Sequence, residues 1–161
     1  MPDATPCVKL CAALLDKIGE QIERTSHLIS LVPAGRLDWA PQPGAWTMRE
    51  LLGHLLDCTS GFCAVLAAAE PARLAHFVKL REFPPAMELY RAHIEEGFAL
   101  LTDADLARRV PTVFVEQGES ILTLLLGNLE HLINHKHQLF TYLKQMGVPV
   151  ATPDLYRLRG K

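Results

Sequence analysis

Two histidines four residues apart, His131 and His135, have the types and spacing that could do chemistry. They sit in an apolar-periodic run from about Ser120 to Met146. On a helix, positions i and i+4 stack on one face, and the Leu, Ile and Phe neighbours predict a mostly buried helix. Two stacked imidazoles there fit either of two arrangements: ligation of a divalent metal, or a hydrogen-bonded pair in the core. His54, on a second predicted helix, is the candidate third donor. Leu51 and Cys58 share its face, so it points inward or nearly so. Three neutral imidazoles suit Zn²⁺ or Ni²⁺, with Fe²⁺ also compatible, and leave positions open for water or substrate. An ion held this way keeps its full charge and acidifies a bound water or thiol toward neutral pH.

Ligating imidazoles commonly donate their second N–H to a carboxylate or carbonyl. Asp57, three residues after His54, and Gln138, two turns beyond His131, are the candidates for that role; each is otherwise a solvated helix residue. Glu130 lies about 100° around the helix from His131 and is expected to face water. Cys58, four residues past His54, borders the proposed site and is expected to be a small apolar wall residue rather than a ligand. His27 and His76 are expected at the surface, and His93 is left undecided. No nucleophile–base motif, Gly-rich phosphate loop or HExxH sequence is present.

The elements that must position these residues are helical. Thr5-Pro6 reads as an N-cap and first-turn proline. The apolar stripe Cys11, Leu14, Leu15, Ile18, Ile22, Ile29 then predicts helix one over about residues 6–31. Residues 33–46, with three prolines, two glycines, Trp39 and Trp46, form a loop. Thr47-Met48-Arg49-Glu50 is a capping box, and helix two runs from it to about Ala69. Residues 70–83 show no clean period. Pro84-Pro85 opens helix three, which reaches Leu101, and Thr102 to Asp105 caps a short extra turn. Residues 110–115 read as an extended connector with at most one edge strand. Ser120 is the N-cap of helix four, and Gly147 its left-handed C-cap. Residues 150–161 read as a mildly basic tail.

Four long amphipathic helices make a single-domain all-α four-helix bundle over residues 1–161. The 14-residue linker after helix two spans ~45 Å when extended, against ~33 Å for a 22-residue helix. It therefore permits helices two and three to run parallel. A net charge of −2 offers no basic surface for nucleic acid. The N-terminus lacks a signal-peptide pattern, and the longest apolar runs fall short of the ~20 residues of a membrane span, so no membrane partner and a cytoplasmic location are expected. Four cysteines without a CxxC pair are expected to be free thiols.

The segment His131-Leu132-Ile133-Asn134-His135 through Gln138, Leu143, Gly147 and Pro149 resembles the closing helix of the DinB/YfiT-like superfamily. Leu37 to Thr47, followed by Gly53-His54-Leu55, is similar to its second-helix signature, and Leu101 to Leu106 to its turn after helix three. The resemblance covers nearly the whole chain in order. It implies an up-down-down-up bundle and a divalent metal held by His54, His131 and His135. It also implies a homodimer, with activity as a transferase or isomerase dependent on a metal-bound small thiol; a metal-activated water at the three histidines would instead make the chain a hydrolase. One departure stands out: the family's Arg-Gly after the second His is Lys136-His137 here. His137, two residues past His135, faces elsewhere and is expected at a surface or interface. Two rival readings remain. One is a non-catalytic metal-binding or dimerisation module on the same fold. The other is a plain bundle whose imidazoles bond each other.

Overall fold

The computed structural model describes residues 9–74, 85–111 and 117–157. Four long helices dominate: α1 (Leu10–Ser30), α2 (Met48–Ala69), α3 (Pro85–Phe98) and α4 (Ile121–Gln145). Short elements join them: a 3-10 turn at Asp105–Ala107, strands β1 (Arg109–Val110) and β2 (Glu119–Ser120), and a one-turn α5 (Thr152–Leu155).

Contacts between the ends fix the directions. The first amides of α1, Leu10 and Cys11, donate to the carboxylate of Asp103 just beyond α3 at 3.0 and 2.8 Å, so α1 and α3 are antiparallel. Thr59 and Cys63 of α2 meet Met87 and Tyr90 of α3 in the same order, so those two helices are parallel. The Tyr142 hydroxyl, near the end of α4, donates to the Trp46 carbonyl just before α2; those helices are antiparallel. The bundle is therefore up-down-down-up, as the long linker permits. Residues 75–83 of that linker, with His76, lie outside the described residues, as do Pro84 and the expected Thr5-Pro6 cap.

The core follows the helical stripes. Ile18, Ile22, Leu55, Phe62, Tyr90, Leu132, Leu139 and Leu143 are all fully buried, each side chain contributing about 1.5–3 kcal/mol by burial. Helix α2 is long and apolar enough to cross a membrane by composition, but 61% of that stretch is buried inside the bundle, where it acts as the central core helix.

Caps set the boundaries. Ser120 Oγ accepts from Thr123 N. At the other end of α4, Gly147 takes φ +80°, while Val148 N bonds Leu143 O and Gly147 N bonds Lys144 O, a complete Schellman closure. Helix α3 ends at Phe98, short of the expected Leu101, because Leu100 and Leu101 bond back three residues rather than four and tighten the chain out of the α-helix. Of the expected extended connector at 110–115, residues 112–115 lie outside the described residues; at its start Arg109–Val110 pairs with Glu119–Ser120 in a two-stranded antiparallel patch, Val110 opposite Glu119. Gly118 permits it: φ is +74°, and a Cβ there would lie 2.6 Å from the Val110 carbonyl oxygen.

The largest departure is at the C-terminus. Residues 150–157 are a docked strap, not a tail. Asp154 bonds His27 Nε2 at 2.7 Å, and Arg157 pairs with Glu23 at 2.6 Å and Asp16 at 3.3 Å. The Leu155 carbonyl accepts from Lys136 Nζ at 2.7 Å. Lys136 is completely buried; it also donates to Gln21 Oε1 at 2.6 Å and lies 5.1 Å from the Tyr156 ring centroid. Burial pushes its pKa down to about 8.

Candidate metal centre

His54 reaches its place because the start of α2 is held rigidly two turns upstream. Thr47 Oγ1 accepts from Glu50 N, and Glu50 Oε2 accepts from Thr47 N at 2.7 Å. The loop before the helix supplies further acceptors: Met48 N bonds Trp39 O, and Arg49 N bonds Leu37 O, both at 2.8 Å. The amides that a helix start leaves unpaired are thus bound by a capping box and by the loop itself. The same loop delivers Trp46 over the histidines.

The three imidazoles meet. His54 Nε2 lies 3.0 Å from His131 Nε2, one donating and the other accepting. Ring centroids are 4.4 Å apart for His54 and His135, and 4.8 Å for His131 and His135. A fourth group joins them: one donor atom from each of His54, Cys58, His131 and His135 lies within 4.8 Å of every other. His131 is exposed, His54 and His135 are half-buried, and Cys58 is buried. The cluster therefore has a solvent side and a protein side. Partial desolvation, and then the neighbouring His135, hold the His131 pKa below its usual value, so its ring is neutral and keeps a lone pair at neutral pH. Burial, and secondarily Asp57, push the Cys58 thiol up to about 12.

His135 is oriented by a directional relay. Its Nδ1 lies 2.9 Å from Gln138 Oε1, Gln138 Nε2 donates to Tyr142 Oη at 3.2 Å, and the Tyr142 hydroxyl donates to Trp46 O at 3.1 Å. The hydroxyl has one proton and it is spent on a carbonyl, so Gln138 must present its NH₂ to Tyr142 and its oxygen to His135. His135 then carries its proton on Nδ1, and Nε2 keeps the free lone pair. Trp46 stacks on His135, with centroids 5.4 Å apart and planes 25° apart, and tilts against His54 at 4.8 Å. Trp39 packs edge-on to Tyr142 at 5.4 Å and backs the relay.

The sequence reading places His54, His131, His135 and Gln138 in this constellation. Asp57 is half-buried and outside the group of four donors. Glu130 is exposed. His137 faces away, bonding Ile133 O and the Tyr156 hydroxyl, and His27 is tied to Asp154. Sequence reasoning missed the roles of Trp46 and Tyr142. The signal for Trp46 was its position directly before the capping box; Tyr142 at i+4 from Gln138 had only its spacing.

The donor set fits a divalent ion. Imidazole–zinc bonds of about 2.0–2.1 Å set tetrahedral ligand atoms about 3.4 Å apart, between the 3.0 Å His54–His131 contact and the 4.8 Å span of the group. Three imidazoles and a thiol are the ligand types that zinc-like ions take.

A profile for the DinB superfamily matches residues 18–139. Among solved structures, a DinB-like protein from Bacillus subtilis is 20% identical with a TM-score of 0.67, the alignment covering 84% of this chain and 92% of that one. A DinB-like protein from Bacillus cereus is 19% identical with a TM-score of 0.61, covering 87% of this chain and 96% of that one. No curated protein gives a significant match.

Proposed function

The chain belongs to the DinB superfamily, and from that premise we propose that it is a metal-dependent enzyme whose divalent ion is bound by His54, His131 and His135. The observation that carries this reading is the convergence of three imidazoles from two rigid helices, one of them oriented by a relay that leaves its Nε2 lone pair free. Zinc or nickel suits the donor set, and iron is compatible.

When bound, a divalent ion there supplies Lewis-acid activation of a water or a low-molecular-weight thiol for hydrolysis or group transfer. The chain's own residues do the rest. Gln138 holds the proton on His135 Nδ1 and fixes the ring plane. Trp46, 40% exposed, covers His54 and His135 with an aromatic face on which the apolar part of a small substrate can lie. Exposed His131 marks the side from which such a molecule arrives.

Metal analysis of protein purified without a nickel column tests the reading. Stoichiometric metal in the wild type, lost in His131→Ala with helicity intact, is the expected result. Unchanged metal content in that variant overturns the site.

A further inference from the structure

The fourth member of the cluster has no place in the three-histidine reading. Cys58 lies one helical turn beyond His54 and is 3% exposed, and its sulfur is within 4.8 Å of a donor nitrogen on each of the three histidines. It occupies the buried side of a group whose exposed member is His131. The other two described cysteines lie elsewhere: Cys63 points its thiol at the Tyr90 carbonyl, and Cys11 starts α1 beside Asp103.

We infer that Cys58 is a fourth ligand, so that the resting site is a closed tetrahedral set of three imidazole nitrogens and one thiolate. The inference rests on the three-histidine reading and deepens it. Four donors match the coordination number zinc adopts in closed sites. A soft thiolate among imidazoles favours zinc-like ions over magnesium, calcium or manganese, which prefer oxygen ligands. Binding forms one metal–sulfur bond and releases the thiol proton to solvent, taking the charge of the centre from +2 to +1. Water or a substrate thiol then has to displace the Cys58 sulfur or add as a fifth ligand. Either way, access of that molecule to the ion would depend on the Cys58 sulfur, a control that an open three-histidine site lacks.

The test loads protein with Co²⁺ and reads its absorption spectrum. Wild type and Cys63→Ser are expected to show visible ligand-field bands plus a near-ultraviolet thiolate-to-cobalt charge-transfer band. Cys58→Ser is expected to keep stoichiometric cobalt and lose the charge-transfer band. Zinc-loaded wild type, examined by X-ray absorption, gives a readout independent of any variant: one sulfur at about 2.3 Å beside nitrogens at about 2.0–2.1 Å. Bound cobalt without a charge-transfer band, or a band that survives in Cys58→Ser, overturns the inference while leaving the three-histidine site standing. Failure of wild type to bind cobalt or zinc at all overturns both.

Discussion

Removing the acceptor from Gln138 tests whether the relay sets the properties of the centre. In Gln138→Leu, His135 Nδ1 loses its 2.9 Å partner, and the ring can flip or exchange its proton between nitrogens. Removal of a group that orients a metal-bound histidine costs about 10–100-fold in metal affinity, or roughly 1.4–2.8 kcal/mol. The structure places the loss at the lower end of that range. Trp46 stacks on His135 with planes 25° apart and still limits rotation after the hydrogen bond is gone. About tenfold weaker binding is expected for Gln138→Leu. A similar or smaller loss is expected for Trp46→Ala, and a loss greater than the product of the two for the double variant, because each restraint covers for the other. Gln138→Glu keeps an acceptor facing Nδ1 and should bind metal close to the wild-type level. The assay is competition for zinc against a chromophoric chelator at neutral pH, with circular dichroism as the control for folding. Wild-type affinity in Gln138→Leu, or a Gln138→Glu variant as weak as the leucine form, refutes the argument that the relay holds His135 in place.

Three further outcomes follow from the packing. Lys136→Ala strands the Gln21 and Leu155 acceptors and opens a cavity, so urea denaturation should show a loss of about 2–4 kcal/mol; Lys136→Met keeps the stem and should lose less. Gly97→Ala would place a Cβ 2.7 Å from Leu66 Cδ1 and 3.0 Å from its Cβ, costing about 1–3 kcal/mol by overpacking; an unchanged or raised Tm contradicts the close α2–α3 contact. The Glu23 carboxyl is held below its usual range by its hydrogen bonds to Arg157, then Arg24, and Asp154 by the Ala151 amide, then His27. Because these folded-state pKa values are depressed, their contribution is complete above the unfolded values of about 4 and is lost as pH falls through the folded ones. Hydrogen exchange should therefore show residues 150–157 loosening in acid before the core of α4 does.

How much of this was legible in the sequence divides by the range of the interactions. His131 and His135 share a face by spacing alone, and the Thr47–Glu50 box and Gly147 announce their helix ends, since caps are local chemistry. The up-down-down-up order needed only a linker long enough to allow it. Cys58 was harder. Spacing put it beside His54, but how close its sulfur comes to His131 and His135 depends on how α2 crosses α4, which no single-helix pattern encodes. Trp46 and Tyr142 were hidden for the same reason: their bond joins residues 96 apart.

The C-terminal strap and Lys136 were missed together, and one fact explains both. Residues 150–157 carry no apolar period, because their order comes from partners on α1 and α4: His27, Glu23, Asp16 and Lys136. A lysine is ordinarily read as solvated, since its ammonium is rarely buried without partners; here the strap supplies one partner and Gln21 the other. His135 and Lys136 are consecutive, so they project about 100° apart, one toward α2 and the histidine cluster, the other toward α1 and the strap. A helix in that position is held on two sides at the same turn. The strap closes over one flank of α4 while Gln138 and Tyr142 tie the other to the Trp46 loop. Lys136, bonded to Gln21 and to the Leu155 carbonyl, thus belongs to the flank facing away from the histidines.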